Sequence, residues 1–121
     1  MAWKFNRNTP VFLQIADKIR ADILRGVYAP DEQIGAVRQI AVEAAVNPNT
    51  VQKSLAMLEE EGILYTKGTA GRFVTSDERI LSKTRERVAR EMARNICEEA
   101  ASLGLSRRTL IEYIEREDIL K

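Results

Sequence analysis

Histidine is absent from all 121 residues. That removes the usual general base, the usual member of a hydrolytic triad and the commonest metal ligand together. No acidic pair stands in an apolar setting that would shift a carboxylate pKa, so the composition points away from an enzyme and names no cofactor or metal. Cysteine is reduced to Cys97. It has no partner for an intramolecular disulfide and, lying among apolar residues at helical spacing, is expected to be a small core hydrophobe. There is no run of about 18 apolar residues and no signal-peptide pattern, so no membrane partner is expected and the cytoplasm is the expected compartment. Neither sign of charge is in excess, the net value being +1. The basic footprint that often marks a nucleic-acid binder is therefore missing, and a case for DNA has to rest on local geometry. Repeats and low-complexity segments are absent too.

What is present has the composition of an ordinary soluble domain, 45% apolar and 31% charged. The length suits one compact domain with a small appendage, or two small domains sharing a core. The first helical signal is "TPVFLQIADKIRADILRG", where Thr9 is placed to cap and Pro10 to occupy the first helical position. Phe12, Ile15, Ala16, Ile19 and Ile23 form one stripe to be buried, and Gly26 falls where a left-handed cap belongs. "VYAPDEQI" has turn chemistry centred on Pro30 and Asp31. A short second stripe follows in Val37, Ile40, Ala41 and Ala44.

"AVNPNTVQKSLAMLEEEG" then restarts a helix almost at once. Asn47 can accept from the free amides of the next helix and Pro48 suits its first position, so the proline begins a helix instead of breaking one. Val51, Leu55 and Leu58 share one side, to be turned inward; Asn49 and Lys53 take the opposite side, flanked by Thr50, Gln52 and Ala56. Gly62 ends the helix. Two short helices joined by a tight turn, the second with amides, a hydroxyl and an amine outward, make a helix-turn-helix. Two β-prone runs, 63–66 and 72–75, flank a five-residue loop with Gly68 and Gly71 and predict a hairpin.

This order predicts a mainly α fold, a winged helix-turn-helix of three helices plus a β-hairpin wing over residues 1–76. Lys67, Gly68 and Thr69 at the wing tip supply a cation, a bare amide and a hydroxyl for phosphate and groove contact. From residue 77 to 121 the character changes. Val88, Ala89, Met92, Ala93, Ile96, Ala100 and Leu103 make a heptad-like seam, too short for an independent coiled coil. After a "GLS" turn, Ser106 can cap a last helix whose stripe holds Leu110, Ile111 and Ile114. This two-helix tail has little room for a core of its own and is expected to pack against a second copy of the chain.

Asn and Gln pair bidentately with adenine and Lys pairs with guanine, so Asn49, Gln52 and Lys53 are of the right types in the right places to read bases. Taken alone they are also ordinary surface polars. Arg38 is a natural phosphate clamp, its bland alternative being a surface ion pair, for instance with Glu43. Lys67 is a groove contact or a solubilising charge. The run Glu59 to Glu61 is unfavourable for the helix dipole and for phosphate, and is expected to point away from DNA. Arg85, Arg87, Arg90 and Arg94 alternate with Glu86, Glu91, Glu98 and Glu99, which reads as a solvated, salt-bridged face. Residues 1–76 hold nine basic and eight acidic side chains, and 77–121 hold ten of each. Affinity must therefore come from placement and from doubling of contacts, not from net charge. Two other readings stay open: a protein-interaction module on the same scaffold, and a small carboxylate catalyst whose paired acids the sequence does not offer.

These segments together resemble the GntR-type bacterial transcriptional regulators over roughly residues 9–76, through "TPVFLQIADKIRADILRG", "VRQIA", "VNPNTVQKSLAMLEEEGILY" and "GRFVT". The short tail is similar to that of the YtrA branch. That resemblance implies a tail that dimerises, and repression of the protein's own operon, often beside transporter genes. It implies DNA contacts at Arg38, Pro48, Asn49, Thr50, Gln52, Lys67 and Gly68, on a pseudo-palindromic double-stranded operator. A small-molecule effector between the domains or across the dimer seam is left open, since no residue constellation identifies one. Where the family usually has Leu-Pro-Ser, this chain has Ile34, Gly35 and Ala36; Ala36 cannot cap, a loss of about 1 kcal/mol. Ala45 replaces a glycine common in the turn and would be strained if left-handed. These departures bear on operator affinity more than on fold.

Overall fold

The computed structural model describes residues 3–120. Seven elements follow one another: α1 (Val11–Leu24), α2 (Val37–Ala44), α3 (Pro48–Glu60), β1 (Leu64–Thr66), β2 (Arg72–Val74), α4 (Glu78–Ser102) and α5 (Arg107–Glu115). Packing divides the chain into two units, one up to Thr84 and one from Arg85.

The core of the first unit is built from the stripes that periodicity predicts. Ile15, Ala16, Ile19 and Ile23 of α1 meet Ile40 and Ala41 of α2, Val51, Leu55 and Leu58 of α3, and Ile63, Leu64 and Val74 of the hairpin. Phe12, assigned to the α1 stripe, is only half-buried at its edge. Arg20 is the charged exception, its side chain 7% exposed. Its guanidinium donates to both carboxylate oxygens of Glu61, at 2.8 and 2.6 Å, and to Asp17 at 2.7 Å. A buried guanidinium is tolerable only with this degree of pairing.

The start of α1 differs from expectation. Pro10 itself is the N-cap, with ψ at 140°, and its carbonyl accepts from Leu13 and Gln14, so Thr9 does not cap. Gln14 takes over the task of fixing the incoming chain. Its Nε2 donates to the carbonyls of Asn6 and Thr9, and its Oε1 accepts from the Asn6 amide. Trp3 and Phe5 pack against the core beside it. Gly26 is left-handed as expected, at φ 83°.

The turn before α2 does more than turn. Asp31, at φ 64°, reverses the chain, and the residues after it run antiparallel to β2. Asp31 and Ile34 amides donate to Val74 and Arg72 carbonyls at 2.9 and 3.0 Å, and Val74 donates to Glu32 at 2.9 Å. β1 pairs with the other side of β2 in the register Leu64↔Val74, Tyr65↔Phe73, Thr66↔Arg72. β2 is thus paired on both edges, which leaves it no open ladder.

α2 bears both departures noted in the sequence. Ala36 is its N-cap, in extended conformation and without a side-chain hydrogen bond. Ala45 follows it at φ 58°, ψ 49°, in the left-handed region that costs an L-residue with a Cβ roughly 1–2 kcal/mol.

Packing places the end of the first unit within α4. Ile80 and Leu81 join the core and Thr84 is buried, its hydroxyl donating to the Ile80 carbonyl at 2.8 Å. The second unit holds the rest of α4, a turn through Gly104 at φ 74°, and α5, where Ser106 caps by accepting from Thr109 at 3.1 Å. Among its described residues only Ala100 is buried. Cys97 is therefore exposed, not a core hydrophobe, because α5 covers so little of α4. Ala89, Met92, Ala93, Ile96, Leu103 and Ile114 are likewise exposed, and Val88 and Leu110 half-buried. The expected ion pairs are present at Arg87–Glu91 and Arg90–Glu86.

Two stability predictions follow from the backbone and the buried charge. Ala45→Gly relieves the left-handed strain and should raise unfolding free energy by about 1 kcal/mol, with Tm up by about 5 °C. Arg20→Ala removes the buried guanidinium that ties α1 to Glu61 and should cost about 3 kcal/mol in urea denaturation.

Candidate nucleic-acid interface

α3 starts as its sequence dictates. Pro48 takes the first helical position, and the Asn47 side chain accepts from the Asn49 amide at 2.8 Å, satisfying a donor that the first turn leaves open. Val51, Leu55 and Leu58 are buried, and so is Ser54, whose hydroxyl donates to the Phe12 carbonyl at 2.7 Å and to Thr50 at 3.0 Å. With that side fixed inward, Asn49, Gln52 and Lys53 are exposed and Thr50 is half-buried.

Their side chains are not equally free. Asn49 has no side-chain partner among the described residues. The Lys53 ammonium rests 4.0 Å from the centroid of the Phe12 ring, a cation–π contact that periodicity could not show. Gln52 Oε1 accepts from Arg72 Nη1 at 3.3 Å. Arg38 is exposed and makes no ion pair with Glu43 among the described residues; it borders an open depression with Val42, Val46, Asn47 and Pro48.

At the wing, Lys67, Gly68 and Thr69 are all exposed, with Gly68 at φ 54°. The turn is closed by Lys67 donating to Gly71 and Ala70 donating to Lys67. Gln33 adds a clamp, its Nε2 donating to the Ala70 carbonyl at 2.5 Å. Gly71, at φ 114°, holds a backbone conformation that strains any L side chain, and a Cβ there would also displace that same nitrogen, 2.8 Å away. A cleft of about 430 Å³ separates wing and helix, lined in part by Gly35, Ala36, Gln52, Thr69 and Arg72. The outward flank of α3 and the wing tip therefore border one space.

The acidic run is engaged instead of merely turned away. Glu61 is held by Arg20, and Glu59 accepts from Thr66 Oγ1 at 2.7 Å and from Arg72 Nε at 2.6 Å, while Glu60 is exposed. The Thr66 hydroxyl and the Arg72 guanidinium hold the Glu59 carboxyl below its ordinary value. Among the described residues no group of acidic or cysteine side chains is placed to hold a metal ion, and no helix is long and apolar enough to cross a membrane.

The sequence model of the bacterial regulatory proteins of the gntR family matches residues 12–74, which takes in α1, the helix-turn-helix and the hairpin. The chain belongs to the gntR family. Its similarity to family relatives extends through the tail. It is 30% identical over 112 residues to the HTH-type transcriptional regulator YhcF of Bacillus subtilis, covering 93% of each chain. It is 28% identical to the HTH-type transcriptional repressor YtrA of the same organism, over 89% of this chain and 84% of that one. A GntR family transcriptional regulator from Listeria monocytogenes has a similar structure, with TM-score 0.86 and 29% identity over 94% of this chain and all of that one. The N-terminal domain of AraR, solved in complex with a mutant of the operator ORR3, superposes with TM-score 0.55 and 26% identity over 58% of this chain and all of that one.

Within this gntR-family domain, the ties that sequence reasoning missed are those of Arg72 to Glu59 and Gln52, of Thr66 to Glu59 and of Gln33 to the wing. The Arg72-Thr66 cross-strand pair was implicit in the hairpin, but its reach to α3 was not. Glu59's depressed pKa means the tie is complete above the ordinary glutamate range and is lost as pH falls through its own lower value. In a carboxyl NMR titration Glu59 should have a midpoint below 4.5, the ordinary value, and Arg72→Ala should move it upward.

Proposed function

We propose that this gntR-family protein is a homodimeric repressor of its own operon, placing two copies of α3 in successive major grooves of a pseudo-palindromic operator. The observation that carries this is the setting of α3: its apolar side is wholly buried, Asn49 stands outward with an uncommitted amide, Arg38 lies beside its start and the wing beside its flank. Asn49 reads an adenine edge through N6 and N7. Arg38 takes phosphate with its planar fork. Lys53 leaves the Phe12 ring to reach the groove. Asn47, Pro48 and Thr50 approach the backbone at the helix start, while Lys67, the Gly68 amide and Thr69 meet it at the wing.

Dimerisation is assigned to the tail, residues 77–121. Met92, Ile96 and Leu103 are 66%, 41% and 69% exposed, on a seam with Val88, Ala89, Ala93 and Ala100 and joined by Leu110 and Ile114. A contiguous apolar stripe of this kind is costly in water and is relieved by a second copy. The similarity to the repressor YtrA supports the repressor reading and, with it, action in the cytoplasm on double-stranded DNA.

The test is selection of duplexes from a random pool, followed by fluorescence anisotropy on the winners. Two inverted half-sites about one helical turn apart are expected. Asn49→Ala should weaken binding about tenfold or more and flatten one position per half-site. Arg38→Ala should weaken all sequences alike and lower the salt slope by about 0.9 for each phosphate that the arginine neutralises. The double change Met92→Glu with Ile96→Glu should sediment as a monomer and lose the two-fold requirement. Equal binding by Asn49→Ala and the parent protein would show that the reading side is wrong.

A further inference from the structure

Gln52 and Glu59 lie seven residues apart on α3, two turns along one line of the helix. Arg72, at the first position of β2, bridges both. Its Nε donates to Glu59 Oε1 at 2.6 Å and its Nη1 to Gln52 Oε1 at 3.3 Å. Thr66, opposite Arg72 in the hairpin, donates to the same Glu59 oxygen at 2.7 Å. The Arg72 side chain is 17% exposed, so the guanidinium is largely enclosed between wing root and helix. Its fixed partner Glu59 remains ionised through neutral pH, which holds the fork against competing phosphates.

The chemistry of this bridge has a consequence for Gln52. A guanidinium has five donors and no acceptor, so the Gln52 amide must turn its oxygen toward Arg72. The NH2 group is then the end of the amide turned away from Arg72, and one of the oxygen's two lone pairs is engaged. A free glutamine reads adenine bidentately, accepting from N6 and donating to N7. A glutamine whose oxygen is drawn to a guanidinium keeps one lone pair free, but as a weakened acceptor, while its NH2 is polarised into the stronger and outward-facing partner. It suits an edge of acceptors, and guanine, with N7 and O6 side by side, is the fullest such edge in the major groove.

We propose that Arg72 is a positioning residue for base recognition, which turns Gln52 from an adenine reader into a donor that selects guanine. This rests on the reading of Gln52 as a groove residue. Arg72 itself touches no base; it sets which half of the amide faces outward.

The test is base preference, position by position, from duplex selection and competition anisotropy with the full-length wild type, Gln52→Ala, Arg72→Ala and Arg72→Met. The methionine variant keeps an apolar stem against the wing root should the alanine variant fail to fold. For the wild type, guanine is expected at the position that Gln52→Ala flattens. In Arg72→Met the guanine-to-adenine ratio at that position should fall about tenfold in favour of adenine, with other positions unchanged. In the free protein the Gln52 side-chain amide should change from ordered to mobile by NMR relaxation. If Gln52→Ala flattens a position but Arg72→Met keeps the wild-type preference there, Arg72 does not position Gln52. A uniform loss of affinity with a smaller salt slope would make Arg72 a phosphate contact instead. If Gln52→Ala flattens no position, the groove reading of Gln52 fails and the proposal goes with it.

Discussion

The rotation of α3 about its own axis is the constraint on which the interface depends. Val51, Leu55 and Leu58 are each at most 1% exposed, and Ser54 is tied to the backbone of α1 from the same side. Each large apolar side chain in such a setting stabilises the fold by about 2–5 kcal/mol, measured as the cost of its truncation. Turning the helix by one residue, about 100°, would expose this side and bury Gln52 or, in the other sense, Thr50 in its place. The penalty would be comparable with the roughly 5–15 kcal/mol that a small domain has in total. The outward direction of Asn49 is thus a by-product of core packing, and no interaction of Asn49's own side chain is needed to maintain it.

The near-neutral charge of the chain looks different once the ion pairs are placed. In the first unit Lys18, Arg20, Arg25 and Arg72 are paired with Asp17, Asp22, Glu59 and Glu61. Arg38, Lys53 and Lys67 have no carboxylate partner among the described residues, and all three are exposed. Internal pairing withdraws Asp17, Asp22, Glu59 and Glu61 from the field, while Glu43 and Glu60 stay exposed, and no carboxylate among the described residues offsets Arg38, Lys53 or Lys67 directly. A net charge of +1 therefore understates the local potential that a phosphate backbone would meet.

Elements and their inward faces were legible in the sequence because each depends on neighbours three or four residues away. Pro48 after Asn47, Gly26 after Leu24 and Arg25, and the Val51-Leu55-Leu58 spacing all act within one or two turns. The contacts that escaped notice span the chain. Arg20 meets Glu61, Ser54 meets Phe12, Gln33 meets Ala70, and Arg72 meets Gln52 and Glu59. No local pattern specifies such pairs. The strand-like run before α2 escaped for a related reason: Pro30 and Asp31 mark a turn, but pairing along β2 depends on where the hairpin comes to lie. Cys97 is exposed against expectation because helical spacing indicates only that a side is apolar, and tertiary packing decides whether it is covered.

The two departures at Ala36 and Ala45 fall at either end of α2, and neither touches the constraint that orients α3. An absent cap and a left-handed alanine each raise the free energy of the folded state as a whole by about 1 kcal/mol. Rotation of α3 is set by side chains buried along its length, and its start is set by Asn47 and Pro48, which follow the strained residue. Strain at Ala45 is therefore felt in the folding equilibrium, where it is shared by every contact of the domain, and not in the direction of the reading side chains. The wing is insulated in the same way. β2 is paired on both edges and Gln33 closes over Gly71, so the distance from wing tip to α3 is fixed by backbone ladders before any ligand arrives. Such preorganisation lets a domain with few free cations bind with little further ordering, since side chains and loops that are already held lose no freedom on contact.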